Sequence, residues 1–339
     1  MKYLVKILCA GILMVLLLCT HFNSHAQDVR YSQFFAAPLK LNPAMMGANT
    51  DLKAILNYRT QWGVIGDGFN TARLTILYPL HMKEDKGKLD IGLSFISDKA
   101  GAYSSTDVSL ALSYNILLSS TGHNLSAAMS TGFVQKKLGI IDLEFDEQYQ
   151  LGMFDPNNPN GESILNENVS YPDFGGGILW YYNPSGDDSK LNAYAGASIF
   201  HVNTPNESLT DATGELPIRY SYQAGFKIIG SSKIDFSPNV RFVTQEGAQE
   251  MATGIYMDYN LNENTKLVLG TWFKRNDAIA IILGIDLKKF SIGYSYDLGN
   301  SELNKVLTGV NTHEVTLMFR LDMAEKKGVN INPSPFSNY

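Results

Sequence analysis

Beyond residue 50, apolar positions alternate with small or polar ones along most of the chain. Val108, Leu110, Leu112, Tyr114 and Ile116 interleave with Ser109, Ala111, Ser113 and Asn115. Tyr220, Tyr222, Ala224, Phe226 and Ile228 do the same with Ser221, Gln223, Gly225 and Lys227. The pattern recurs over Phe290 to Leu298 and over Val315 to Leu321. A period of two sends successive side chains to opposite faces of a strand. Runs of this kind are longer than the roughly five or six residues of a soluble strand. They match the roughly ten residues with which a tilted strand crosses a bilayer.

Read this way, the chain predicts about fourteen strands, an even number as bacterial barrels require. They cover 51–62, 69–80, 88–98, 103–117, 123–136, 171–183, 190–202, 217–229, 233–243, 249–259, 265–274, 277–287, 288–298 and 313–322. The long connections 137–170, 203–216 and 299–312 follow the fifth, seventh and thirteenth strands. In an up-and-down barrel all three then lie on one side. Connections of even rank, such as Gly230-Ser231-Ser232, are short and built of turn formers. Outer-membrane barrels place long loops outside and short turns in the periplasm, and the same parity puts both termini in the periplasm. The expected fold is all-β: a transmembrane antiparallel β-barrel of about 14 strands, of outer-membrane type.

The start of the chain changes the picture only by assigning a compartment. Lys2 and Lys6 precede an apolar run from Ile7 to Leu18, and Ser24-His25-Ala26 offers small residues for cleavage. Residues 1–26 therefore read as a cleaved signal peptide, too short for a spanning helix of about 20 residues. Both cysteines, Cys9 and Cys19, leave with it, so no disulfide framework is available. Loss of the two lysines takes the formal charge from −6 to −8, which argues against nucleic acid as a partner. The expected division is then 27–49 as an N-terminal periplasmic or plugging segment, 50–323 as the barrel and 324–339 as a tail.

Residues 27–49 do not alternate, and Pro38 and Pro43 forbid a long helix or a central strand. Yet Phe34, Phe35, Leu39 and Leu41 make the segment too apolar for a solvated tail. Gln33, Pro38, Asn42, Pro43 and Gly47 are its candidate plug residues. A cap lying along the periplasmic rim is the alternative. Arg219, Arg241, Asp297, Glu314 and Arg320, with Asp90, Asp235 and Asp286, fall on the polar strand face. A charge facing lipid at mid-depth costs roughly 2–4 kcal/mol, so these are expected in the lumen, as ion pairs closing the pore or as the lining of a polar channel or a peptide-binding lumen. Phe145, Tyr149, Phe154 and Tyr171, in or beside the first long connection, are candidate partner-binding aromatics or mere loop packing. Tyr58, Trp62, Trp180 to Tyr182, Trp272 and Phe273 suggest interfacial girdles. Gly175-Gly176-Gly177 suggests a kink or a close approach to the wall. His81, His123, His201 and His313 lie on separate segments without metal-ligand spacing. No spacing selects a Ser–His pair, so the expectation is a non-enzyme without cofactor or metal.

Several motifs in a fixed order resemble those of the PorP/SprF family of Bacteroidetes outer-membrane proteins. They begin with Asn42-Pro43-Ala44, Gly47 and Tyr58-Arg59-x-Gln61-Trp62. Asp155-Pro156-Asn157-Asn158-Pro159, Pro172-Asp173-Phe174-Gly175 and Ala195-Gly196-Ala197-Ser198-Ile199 with Pro205 follow. Leu216-Pro217-x-Arg219-Tyr220, Gly293-Tyr294-Ser295-Tyr296-Asp297, Ser301 with Leu303, and His313-Glu314 complete the series. Met45-Met46 departs from it, and the tail from Glu325 to Tyr339 is outside it. The resemblance implies a non-enzymatic outer-membrane accessory of type IX secretion. Its implied partners are a secreted surface adhesin with a C-terminal sorting domain, often of the gliding type, other secretion components and outer-membrane lipid. A porin or a transporter for small hydrophobic molecules is the alternative function.

Overall fold

The structure is a computed structural model. It describes residues 30–49, 51–63, 68–81, 87–139, 143–150, 153–159, 161, 167–184, 191–209, 214–231, 233–300 and 311–321. The signal segment and the tail lie outside them. Fourteen antiparallel strands close into one barrel, each paired with its neighbours in sequence. They are β1 (Leu52–Gln61), β2 (Phe69–His81), β3 (Lys88–Ala100), β4 (Tyr103–Ser119), β5 (His123–Leu138), β6 (Asn168–Tyr182) and β7 (Leu191–Phe200). The second half is β8 (Arg219–Ser231), β9 (Ile234–Gln245), β10 (Ala248–Asn262), β11 (Thr265–Lys274), β12 (Ala278–Asp286), β13 (Phe290–Gly299) and β14 (Thr312–Leu321). Closure pairs β1 with β14 in a register that runs from Leu52↔Leu321 to Gln61↔Thr312.

The dyad pattern sets which way each side chain points. On β3 and β4, Leu93 pairs with Leu110 and Phe95 with Val108, and all four are exposed on the outside. Their neighbours Ser94, Asp90 and Ser113 are buried inside. The outer wall is therefore apolar and the inner wall largely polar, the reverse of a soluble sandwich. The connections at one mouth include 139–167, 201–218 and 300–311; those at the other, such as 120–122 and 263–264, are short. No helix among the described residues is long and apolar enough to cross a membrane; the crossing is made by strands.

Two aromatic expectations need correction. Trp272 and Tyr181 do not sit in a membrane girdle: both are buried inside the barrel. On β11 the outward positions are Leu267, Leu269 and Phe273, so parity puts Trp272 on the inward face with Val268. Inward glycines make the room. A Cβ on Gly254 would lie 2.3 Å from the Trp272 ring, and one on Gly270 would lie 2.6 Å from Tyr256.

Candidate functional site

The interior is occupied by the chain's own N-terminal arm. Residues 30–49 form three short turns, Phe34–Ala36, Pro38–Leu41 and Pro43–Ala48, which lie within the ring of strands. Prolines at the first positions of the last two turns suit a helix start, where the missing N–H costs nothing. Phe34, Phe35, Leu41 and Met45 join Leu179, Tyr194, Tyr256 and Trp272 in one cluster. Phe34 meets Trp272 edge-on at 4.4 Å between ring centres. Leu39 and Met46 join Ile55, Leu77 and Met318 in a second cluster. Burying six large apolar side chains stabilises this arrangement by on the order of 10 kcal/mol, an upper estimate because a denatured chain is itself partly collapsed.

Polar contacts fix the arm's position. Asn42 is fully buried, and its amide nitrogen donates to the carbonyls of Ile178 (2.9 Å) and Ala197 (3.2 Å). Its amide oxygen accepts from the Ala44 N–H at 2.9 Å and so caps the following turn. Asn42 can come this close because Gly177 and Gly196 face it: a Cβ there would lie 2.1 Å from Oδ1 and 2.9 Å from Nδ2. Gln33 rests in the same way against Gly293, and Gly47 against Ser126. Pro38 and Pro43 are buried beside them.

The predicted lumen charges all face inward and are buried, and four of the eight hold the arm. Glu314 accepts from the backbone N–H groups of Ser32 (2.8 Å) and Gln33 (3.2 Å) and lies 3.3 Å from Arg59. Asp297 accepts from Ser32 Oγ at 2.6 Å and pairs with Lys274 at 2.8 Å. Arg219 donates to the Lys40 carbonyl at 2.9 Å and lies over the Phe200 ring. Arg241 pairs with Glu250 and covers the Phe34 ring. Arg320 stands apart from the arm, pairing with Asp286 and donating to the Lys288 carbonyl near the short-turn mouth. Asp90 pairs with Lys88, and Asp235 with Lys227.

These contacts give the arm a direction. Asn49 sits at the short-turn mouth, where its carbonyl accepts from Lys88 at the start of β3. Ser32 and Arg30 sit near the long-connection mouth, against Asp297, Glu314 and Glu250. The expectation that both ends of the mature chain lie at the short-turn mouth is therefore corrected at the N-terminal side. Strand parity fixes where β1 begins, but the preceding arm doubles back through the barrel.

Above the arm, at the long-connection mouth, an open cup of about 700 Å³ remains. Arg30, Tyr31 and Lys40 line its floor; Trp62, Tyr103, Lys136 and Tyr171 line its walls. Burial raises the Tyr31 phenol above its ordinary range, so the hydroxyl stays protonated. The predicted loop aromatics separate here. Tyr149 and Phe154 pack against each other, 5.4 Å between centres, on a two-residue hairpin and remain exposed, with Phe145 just before it. Tyr171 instead turns inward, buried, and donates to Glu207 at 3.1 Å. Among the described residues no three histidine or acidic side chains converge on a metal position.

The model of the type IX secretion system membrane protein family PorP/SprF matches residues 23–319. The chain belongs to that family. Its barrel and its membership place it in the outer membrane as a component of type IX secretion. No curated protein matches its sequence. Among solved structures it is similar to a deltaS2S3 mutant of the monoaromatic hydrocarbon channel TodX. That match has a TM-score of 0.51 and 10% identity, over 85% of this chain and 94% of that one. The Ralstonia pickettii toluene transporter TbuX matches with a TM-score of 0.49 and 10% identity, over 84% and 92% of the two chains. The NanC porin matches with a TM-score of 0.41 and 10% identity, over 80% and 100%. At such identity the likeness is one of barrel architecture.

The aromatic filling of the lumen escaped the sequence reading. Its signal was present, since Tyr194, Tyr256 and Trp272 stand at the inward parity of their strands beside glycines at Gly196, Gly254 and Gly270.

Proposed function

We propose that this barrel is an accessory of type IX secretion that engages a secreted adhesin bearing a C-terminal sorting domain. It serves the adhesin's export or attachment at the surface, after its own leader is cleaved behind Ala26. The long-connection mouth faces outward in this reading. The observation that carries it is the family match along nearly all of the chain, joined to a lumen filled by residues 30–49. A filled lumen suits docking better than conduction. Gln33, Pro38, Asn42, Pro43 and Gly47 act as a standing plug, and exposed Tyr149 and Phe154 offer the kind of aromatic surface that dominates protein interfaces. Other secretion components are further partners.

The test is a deletion strain examined by surface proteomics, together with a pull-down of the tagged barrel. Loss of one or more surface adhesins from the deletion strain, with the same adhesin in the pull-down, is expected. An unchanged surface proteome and an empty pull-down would sink the proposal. The second reading, a porin or a hydrocarbon transporter, draws only on barrel architecture. Planar-bilayer recording separates it: the intact protein is expected to show no stable open conductance, and a steady one would favour the porin.

A further inference from the structure

The cup at the long-connection mouth holds more than a plugged barrel requires. Its basic groups already have carboxylates: Lys40 pairs with Asp107, Lys136 with Glu207, and Arg30 with Glu250 at 3.0 Å. Arg59 lies 3.3 Å from Glu314 and 3.6 Å from Asp297. Among the described residues two lining carboxylates, Asp98 and Asp277, make no ion pair, while Asp173 rests on His201 at 2.9 Å. Asp98, on β3, accepts from the Thr71 hydroxyl at 2.5 Å and feels the charge of Arg59 without an ion-pair contact. Asp277, just before β12, makes no side-chain ion pair among the described residues. Among the described lining residues, His201 aside, six carboxylates face four basic groups, and the balance of charge is negative.

Tyr31 gives a second, independent sign. It is buried at the cup floor, with Arg73 stacked 4.0 Å over its ring, yet among the described residues its hydroxyl makes no well-formed hydrogen bond. A buried hydroxyl without a partner costs about 1–3 kcal/mol, a cost that an incoming polar group removes. Trp62 and Phe69, 5.0 Å apart, add an aromatic wall of the kind that attracts cations. Asp98 and Asp277 stand five strand-steps apart around the ring, on β3 and beside β12. One small ion cannot meet both. A cavity of about 700 Å³ falls within the common size range of binding pockets.

We propose that the cup binds an extended peptide segment carrying at least two lysine or arginine side chains, one directed at Asp98 and one at Asp277. This rests on the docking reading above, and the segment belongs to the secreted partner. The backbone of such a segment also supplies the polar group that Tyr31 lacks.

The test uses the full-length barrel in detergent and calorimetric titration with capped eight-residue peptides. One alternates lysine with serine; its counterpart has glutamate for lysine. Saturable binding of the lysine peptide alone is expected. It should weaken at least tenfold in Asp98→Asn/Asp277→Asn and several-fold when wild-type protein is moved to high salt. Folding of the variant is checked by its migration before and after boiling, and the peptide and salt comparisons need no variant. Equal binding of both peptides, no saturable binding of the lysine peptide, or binding indifferent to both substitutions and salt overturns the site. The cellular results keep the two proposals apart. If the deletion strain loses an adhesin while Asp98→Asn/Asp277→Asn displays it normally, the cup fails and the secretion role stands. If the deletion strain loses nothing, the secretion role itself fails.

Discussion

Asn42 holds the arm in place through three side-chain hydrogen bonds. It caps a turn of the arm and ties that arm to β6 and β7 through two wall carbonyls. Asn42→Ala leaves those buried groups without their partner, at a cost of about 1–3 kcal/mol. Asn42→Asp is expected to cost more. It keeps the cap but points a carboxylate oxygen at the carbonyls of Ile178 and Ala197, where two N–H bonds had been. Gly177→Ala should resemble Asn42→Ala, because the new Cβ would lie 2.1 Å from the amide oxygen. Thermal unfolding of the purified proteins in one detergent ranks them; an Asp variant as stable as wild type would contradict this account of the site. At this scale the sequence was half legible. Asn42-Pro43 stands out, and the glycine run 175–177 signals a close approach. Gly196 signals nothing until the wall opposite Asn42 is known, 154 residues further along the chain.

The strands were legible as elements because alternation over a lipid-facing wall is strict: a one-residue slip would turn every apolar side chain inward. Beginnings and ends were less so. β6 starts at Asn168 rather than 171, since Asn168, Val169 and Ser170 still pair with β5 at the mouth. The arm was legible as an apolar, proline-broken segment, but its direction was not. That direction depends on Ser32 meeting Asp297 and Glu314, contacts that span more than 260 residues of sequence. It is open to labelling, because both cysteines of the chain, Cys9 and Cys19, lie in the segment proposed to be cleaved as a leader. Arg30→Cys should react with a membrane-impermeant maleimide on intact cells, while Asn264→Cys, on a short turn, should react only after lysis. The opposite result would reverse the arm or the barrel.

As a whole molecule the protein is a closed wall around an inserted arm. The ring of fourteen strands follows from counting alternating segments, and its membership follows from motifs spread along it. The filling of the lumen does not, because free volume depends on strand tilt and stagger as well as on which residues face inward. In the proposed reading, a barrel filled in this way acts by what it binds at its mouths, and the cup is the mouth that binds. The most direct measurement is photocrosslinking in living cells from single sites on the full-length protein. A photoreactive residue at Tyr103, in the cup wall, is predicted to capture a secreted protein bearing a type IX sorting domain, and one at Asn264 to capture none. Capture at Asn264 alone, or at neither site in cells that secrete their adhesins normally, would contradict the account.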